Sequence, residues 1–374
     1  MQKKLQFTVE WTKGHARAWK ITMRWIQIPT PVFMPVWTKA TLKWLVYEML
    51  KDPKYIWDLP NINLILNNTY HLFLPPWQDI IAQHWGLHKY QNRDWLILTD
   101  SGGYQAFSLG TSKNTSRSWK PFSKIMDDCI KFRDIHDWTS HVFSPQWCID
   151  IQSTMWSDIM MMLDVCSPPN ISDKKFRSHM ILTHKRAKEQ YEYHQKNYVS
   201  MKWALFPIVQ WWTNLDLRQS SIDYLAPFAF DWIAVWWVSV WEPYEEIQKV
   251  INFTWPNLPS NVPRYLMWIG NPKWLRYAIE NWFDMFDCVL PTRLARHWTF
   301  FNNDDIEKIW KSKNKSSLCP LTQTCWCYTC KNFTKSYLYH LRKEKEMLSS
   351  TLLSLHNICY LHSLVNSIRN QILQ

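Results

Sequence analysis

Short apolar runs recur along this chain, separated by longer polar stretches in which hydrophobic residues return at helical spacing. The runs are Val32–Val36, Ile62–Leu66, Leu96–Thr99, Ile159–Leu163, Ala204–Val209, Ile233–Val235, Tyr265–Met267 and Met285–Leu290. Eight such runs with intervening helices predict an α/β fold, a (β/α)8 TIM barrel. Periodicity alone also fits a doubly wound sheet. Ahead of them, Leu5–Val9 and Ala18–Ile28 read as a hairpin-like pair of strands. The rhythm changes at Asp304. A Lys/Ser/Asn-rich connector, Lys311 to Ser317, leads into a cysteine cluster and a long helical stretch. There Leu338, Leu341, Met347, Leu348, Leu352, Leu355 and Ile358 recur at spacings that suit one buried face. The predicted organisation is therefore a barrel with an N-terminal β section over 1–303, an inserted zinc-binding subdomain over 304–360 near the C-terminus, and a C-terminal helix over 361–374 that packs back on the barrel.

What favours a barrel is where the reactive side chains fall. Asn68, Asp100, Asp164, Gln210 and Asp287 each lie at or just past the end of a different run, and barrel enzymes assemble their sites from several strand ends. In Phe283–Arg296 a buried run reaches Asp287, breaks at Pro291 and supplies Arg293 and Arg296 in what reads as a basic loop. A carboxylate there suits attack on an electrophilic carbon, with the arginines holding a phosphate. An ordinary strand with solvated loop charges fits the same residues. In Asp100-Ser101-Gly102-Gly103-Tyr104-Gln105, two glycines after a strand permit close approach of a ligand, and Tyr104 offers a flat face. A tight turn capped by Asp100 is the plainer alternative, as a capping role is for Asn68. Asp164 at an apolar strand end suits the N–H groups of a polar ligand, with Gln210 adding an amide contact. Met267 suits the wall opposite Tyr104, or plain core filling.

Charge narrows the partners. A formal +12 and a pI near 9.2 suit a polyanion, nucleic acid ahead of an acidic membrane surface. The start lacks an apolar signal core and no run approaches a membrane span. Four of the nine cysteines fall within Cys319–Cys330, which points to a metal in a reducing, cytoplasmic setting rather than to a disulfide framework. Cys325, Cys327 and Cys330 have C-x-C-x-x-C spacing, and His356 follows after 25 residues. Three thiolates and one imidazole make a closed tetrahedral set for one structural Zn2+.

The run around Asp287 closely resembles the signature of the tRNA-guanine transglycosylases, and the resemblance extends from about Thr22 to about Asn357. It implies Asp287 as nucleophile and Asp100 as proton acceptor and donor. It also implies a base pocket of Asn68, Asp100, Ser101, Gly102, Gly103, Tyr104, Asp164, Gln210, Trp236, Trp237 and Met267. RNA contacts would come from Trp268, Gly270, Trp274, Thr292, Arg293 and Arg296, and Cys325, Cys327, Cys330 and His356 would hold structural zinc. The implied reaction exchanges guanine at the anticodon wobble position of tRNA for 7-aminomethyl-7-deazaguanine, through a covalent Asp-ribosyl intermediate, in queuosine biosynthesis. Val240 and Cys166 are of the bacterial kind, and members commonly form homodimers. The competing reading is a non-catalytic RNA-binding or accessory subunit on the same scaffold, which would be expected to lose catalytic aspartates.

One feature of composition stands apart. The chain has 27 Trp and only 6 Gly, against roughly 7% Gly in an average protein. Trp37, Trp211, Trp212, Trp236, Trp237, Trp241, Trp268 and Trp298 stand where the related family has glycine. The expectation is that UGA encodes glycine in this gene. A protein truly rich in tryptophan is the alternative, and in it Trp236 and Trp237 would fill the pocket.

Overall fold

The computed structural model describes residues 5–374 except 58, 60, 61, 75, 76, 106, 107, 109–122, 135–137, 168–170, 199, 202 and 237–243. Trp237, Trp241 and Val240 therefore lie outside the described residues. The fold is mixed α/β with two parallel sheets at its centre. One has the strand order Ala204–Phe206, Ile159–Met161, Leu96–Asp100, Leu64–Asn68. The other runs Ile208–Val209, Ile233–Val235, Arg264–Leu266, Met285–Cys288, Val32–Pro35. The parallel bridge Val36–Leu66 links one pair of edges. At the other, Pro207 interrupts what the sequence suggested was a single run, because proline has no N–H to give the ladder.

Alternation along these strands sorts the core into two layers. Leu64, Leu66, Leu96, Leu98, Tyr265 and Met285 belong to the cluster enclosed between the sheets. Their neighbours Ile65 and Ile97 pack outward in a second cluster, and Leu266 and Phe286 in a third, against the helices. Successive strand residues point to opposite faces, so the next inward position past Leu66 is Asn68, past Leu98 is Asp100, and past Met285 is Asp287. The apolar parity of the strands thus delivers three polar side chains to one end of one interior.

Several expected boundaries move. Ala18–Ile28 is two strands, Ala16–Met23 and Ile26–Thr30, which join Gln6–Lys13 in an antiparallel sheet. The left-handed turn at Arg24 separates them. The run from Met285 ends at Cys288. Pro291 suits a helix start, so Leu290–Arg296 is a helix rather than a loop. Two further antiparallel units were not foreseen: strands Ser123–Ile125, Ile130–Arg133 and Ser140–Phe143, and the hairpin Thr299–Asn302 with Asp305–Lys308. The helical stretch is two helices, Lys335–Lys343 and Met347–Leu373. Met347 and Leu348 lie exposed in the first turn of the second, so they leave the buried face expected of them. That helix is continuous from the cysteine cluster to the chain end and packs on the strand Val32–Pro35. Among described residues no helix is long and apolar enough to cross a membrane.

The backbone carries one anomaly. Among the described residues sixteen other than glycine have φ between +46° and +95°, and ten of them are tryptophan. That conformation costs an L-residue about 1–2 kcal/mol. Ten such costs would rival the whole net stability of a typical domain, about 5–15 kcal/mol.

Candidate active site

A cleft of about 810 Å³ opens at the C-terminal ends of the parallel strands and is lined by Asn68, Asp100, Tyr104, Met267, Asp287 and Arg293, among others. Asp287 is held by its neighbouring strand. Tyr265 pairs with Met285 across the ladder, which places the phenol beside the next inward residue. The Tyr265 hydroxyl donates to Asp287 Oδ1 at 2.6 Å, and the Trp268 backbone N–H donates to the same oxygen at 2.9 Å. Oδ2 carries no such bond among the described residues. Burial pushes the Asp287 carboxyl up to about 6 against the pull of these two donors. A carboxylate with one oxygen fixed and the other available is arranged for nucleophilic attack.

Asn68 stands at the N-cap of the helix Thr69–Phe73 but makes no cap bond. Its amide instead donates to Asp100 Oδ2 at 2.9 Å. Burial, and then the Asp287 charge, push Asp100 up to about 7, against the Ser101 and Gly102 backbone donors and Asn68. A group poised there exchanges protons readily at neutral pH. The glycines that follow are required by space. A Cβ at Gly102, whose φ is +84°, would lie 2.7 Å from Tyr70 Cβ, and one at Gly103 would lie 3.1 Å from Asp164 Oδ1. Ser101 is buried, and its hydroxyl accepts from the Gly103 N–H at 3.3 Å.

Asp164 and Gln210 meet deeper in. The Gln210 amide donates to Asp164 Oδ2 and to the Val165 carbonyl, both at 3.0 Å. Burial, and then the Asp100 charge, push Asp164 up to about 7. The Tyr104 ring is already engaged on two sides, by Trp268 with centroids 4.6 Å apart and by Trp236 at 5.7 Å. The two indoles touch each other at 5.4 Å. Trp268, which lines the cleft beside Tyr104, crowds the approach of a planar ligand to that ring.

The expected RNA-contacting positions divide. Gly270, Trp268 and Trp274 line the cleft, and Arg293 is exposed at its mouth. Arg296 is half-buried on the same short helix, and burial first and then the Arg296 charge lower the Lys43 ammonium's pKa. Thr292 faces inward, its hydroxyl donating to the Val289 carbonyl at 3.3 Å. Tyr265 is the site residue the sequence did not reveal. The available signal was its parity, two residues before Met267 in an otherwise apolar run.

Away from the cleft, the ligand atoms of Cys325, Cys327, Cys330 and His356 all lie within 4.8 Å of one another. His356 Nδ1 is 3.3 Å from Cys330 Sγ and 3.8 Å from Cys327 Sγ, while Nε2 bonds the Phe301 carbonyl at 2.9 Å. That carbonyl fixes the tautomer and leaves Nδ1 for a metal. The two edges to His356 lie within about 0.3 Å of the roughly 3.6 Å expected of tetrahedral zinc with Zn–S near 2.3 Å and Zn–N near 2.1 Å, so the set is close enough to converge on one ion.

Two buried carboxyls with raised pKa facing one cleft that Arg293 also lines make an arrangement suited to acid/base and nucleophilic chemistry, of the kind a group-transferring enzyme on an α/β scaffold uses. Comparison with known proteins names the family. The model of the queuine tRNA-ribosyltransferase family matches residues 12–374, and the chain belongs to that family. Curated relatives carry the same name. The Acinetobacter baylyi protein is 38% identical over 361 residues, 96% of this chain and 89% of the relative. The Fusobacterium nucleatum protein is 39% identical over 375 residues, all of this chain and 95% of the relative. The Caldanaerobacter subterraneus protein is 40% identical over 347 residues, covering 93% and 87%. These matches make the chain an enzyme of pentosyl transfer, and the accessory-subunit reading is not favoured.

Proposed function

We propose that this chain exchanges guanine in the tRNA wobble position for 7-aminomethyl-7-deazaguanine by two displacements at one carbon. Asp287 Oδ2 bonds to the ribose C1′ as the C1′–N9 bond breaks. Its electron pair leaves on guanine, which takes a proton from Asp100. The incoming deazaguanine then gives its N9 proton to Asp100 and attacks C1′, releasing the Asp287 carboxylate. Atoms and charge balance, and the stereochemical logic is that of retaining glycosidases. The target nucleotide must leave its stack to reach the cleft.

The single observation that carries this reading is the placement of Asp100 and Asp287 on one interior end. Asp164 and Gln210 would read the base, and Tyr104 and Met267 would enclose it. Arg293 and Arg296 would take phosphates beside the flipped nucleotide. One zinc held by Cys325, Cys327, Cys330 and His356 would be structural. An eight-stranded barrel is supported by the parallel pairing and by the Val36–Leu66 bridge. Barrel, zinc subdomain and C-terminal helix, with limits near 303 and 360, the second falling inside the continuous helix Met347–Leu373, form the proposed organisation, and a cytoplasmic homodimer is the proposed working state. The test is incorporation of labelled guanine into unmodified tRNA. Exchange by the native enzyme and none by Asp287→Asn is expected; exchange by the variant at the parent rate sinks the mechanism.

A further inference from the structure

Left-handed backbone is spread very unevenly over this chain. Of the 27 tryptophans, all but Trp119, Trp237 and Trp241 are described, and ten of those 24 have φ between +50° and +95°. No described Phe, Tyr, Leu, Ile, Val or Met does so. Size and aromaticity are thus not the cause. A bulky residue in this region is a rare outlier, whereas glycine occupies it freely.

The local geometry says which residue the backbone was built for. Trp85, Trp156 and Trp282 each follow a helix end. The N–H after each reaches five residues back: Gly86 to Ile81 at 3.0 Å, Ser157 to Gln152 at 3.1 Å, and Phe283 to Ala278 at 3.2 Å. That is the Schellman closure, whose left-handed residue is usually glycine. Trp57 has φ 56° and ψ −143°, in or beside a region almost confined to glycine.

The side chains find no better home. Two of the ten, Trp211 and Trp282, have buried indole N–H groups with no hydrogen-bond partner among the described residues, although a buried Trp normally finds one. Trp85, Trp138 and Trp57 are instead 75%, 54% and 47% exposed.

We infer that the ten left-handed tryptophan positions are glycine in the protein as its own cell makes it, their codons being UGA read as glycine. Trp236 is not left-handed and is included only as one of the positions where the related family has glycine. The consequence falls on the binding site. At position 268 the positive φ turns the backbone N–H onto Asp287 Oδ1, and that bond needs no side chain. With glycine at 236 and 268 the carboxylate stays fixed while the Tyr104 face opens to the cleft, making a slot for a planar purine-like base. This deepens the base-exchange reading, yet its first test is independent of activity.

That test is peptide mapping by tandem mass spectrometry of the protein purified from its native source, beside the codons of the gene. Glycine at positions 85, 156, 268 and 282, each encoded by UGA, is expected. Tryptophan in those peptides, or UGG codons, overturns the inference whatever the enzyme does. A second arm compares two synthetic genes, one encoding the printed chain and one encoding glycine at the ten positions and at 236 and 237. Guanine binding by the glycine version alone is expected. A folded glycine version that binds no guanine would sink the base-exchange reading and leave the recoding standing.

Discussion

The Tyr265 hydroxyl lies 2.6 Å from Asp287 Oδ1 and donates to it, so a fully buried phenol on one strand fixes the carboxylate on the next. The bond lowers the Asp287 pKa against the larger effect of burial. Removing it with Tyr265→Phe keeps the ring and its packing, and leaves the Trp268 N–H as the remaining donor on Oδ1. A hydrogen bond to a charged group is worth about 1.5–3 kcal/mol, or about 10–100-fold in rate if it is all felt in the transition state. Guanine exchange should fall by that factor. Its acid limb, set by ionisation of Asp287, should move upward from about pH 6. A pH–rate profile that loses amplitude with no movement of the limb would mean that Tyr265 only fills space.

Three raised carboxyls make stability depend on pH in a set direction. Asp100 and Asp164 stand at about 7 and Asp287 at about 6, against about 3.9 in an unfolded chain. Folding therefore favours their protonated forms. The stability they contribute is complete below about pH 4 and is lost as pH rises through 6 and 7. Asp100→Asn removes one such group, so it should abolish exchange yet unfold at a higher temperature than the parent at pH 8, with the gap narrowing at pH 5. Calorimetry at the two pH values measures this. A variant less stable than the parent at pH 8 would contradict the burial argument.

The strand ends were legible because alternation is a strict rule: two steps past Leu66, Leu98 and Met285 come Asn68, Asp100 and Asp287. Tyr265 escaped because a hydroxyl inside an apolar run has no sequence mark of its partner, which lies on another strand. The hairpin around Thr299–Lys308 and the sheet around Ile130 were missed for a different reason. Strands such as Ser123–Ile125, Ile130–Arg133 and Asp305–Lys308 mix charged and polar residues into three or four positions, so they form no continuous apolar run like Ile233–Val235. Met347 and Leu348 misled by continuing a helical repeat into a first turn that nothing covers. The basic stretch after Asp287 misled through Pro291, which breaks a strand and starts a helix equally well.

Arg293 is exposed at the cleft mouth, so Arg293→Ala should leave folding and the chemical step intact. Each phosphate contact contributes about one unit to the slope of log affinity against log salt. The variant's KM for tRNA should therefore rise, and its salt dependence should flatten by about one unit, while kcat at saturating tRNA stays near the parent value. An unchanged salt slope would remove Arg293 from the RNA surface.

The cysteine cluster is connected to the cleft by one helix. His356 and Asn357 are neighbours in Met347–Leu373. Asn357 donates to the carbonyls of Pro291 and Thr299 at 2.9 and 3.1 Å, and accepts from the Phe301 N–H at 3.0 Å. Pro291 is four residues past Asp287 on the helix that carries Arg293. A metal clamped between the cysteines and His356 would hold Asn357 in register, and binding energy at such a site is folding energy. Cys330→Ser should lose the one bound zinc by elemental analysis. Its melting temperature should fall by at least ~5 °C, since 1 kcal/mol is worth roughly 1.3 °C in a chain of this length and a structural zinc contributes on the order of 10 kcal/mol. Exchange activity should fall with it although no ligand touches the cleft. A variant that keeps full melting temperature and activity without zinc would show that the apolar packing around Leu352 and Leu355 holds the helix unaided.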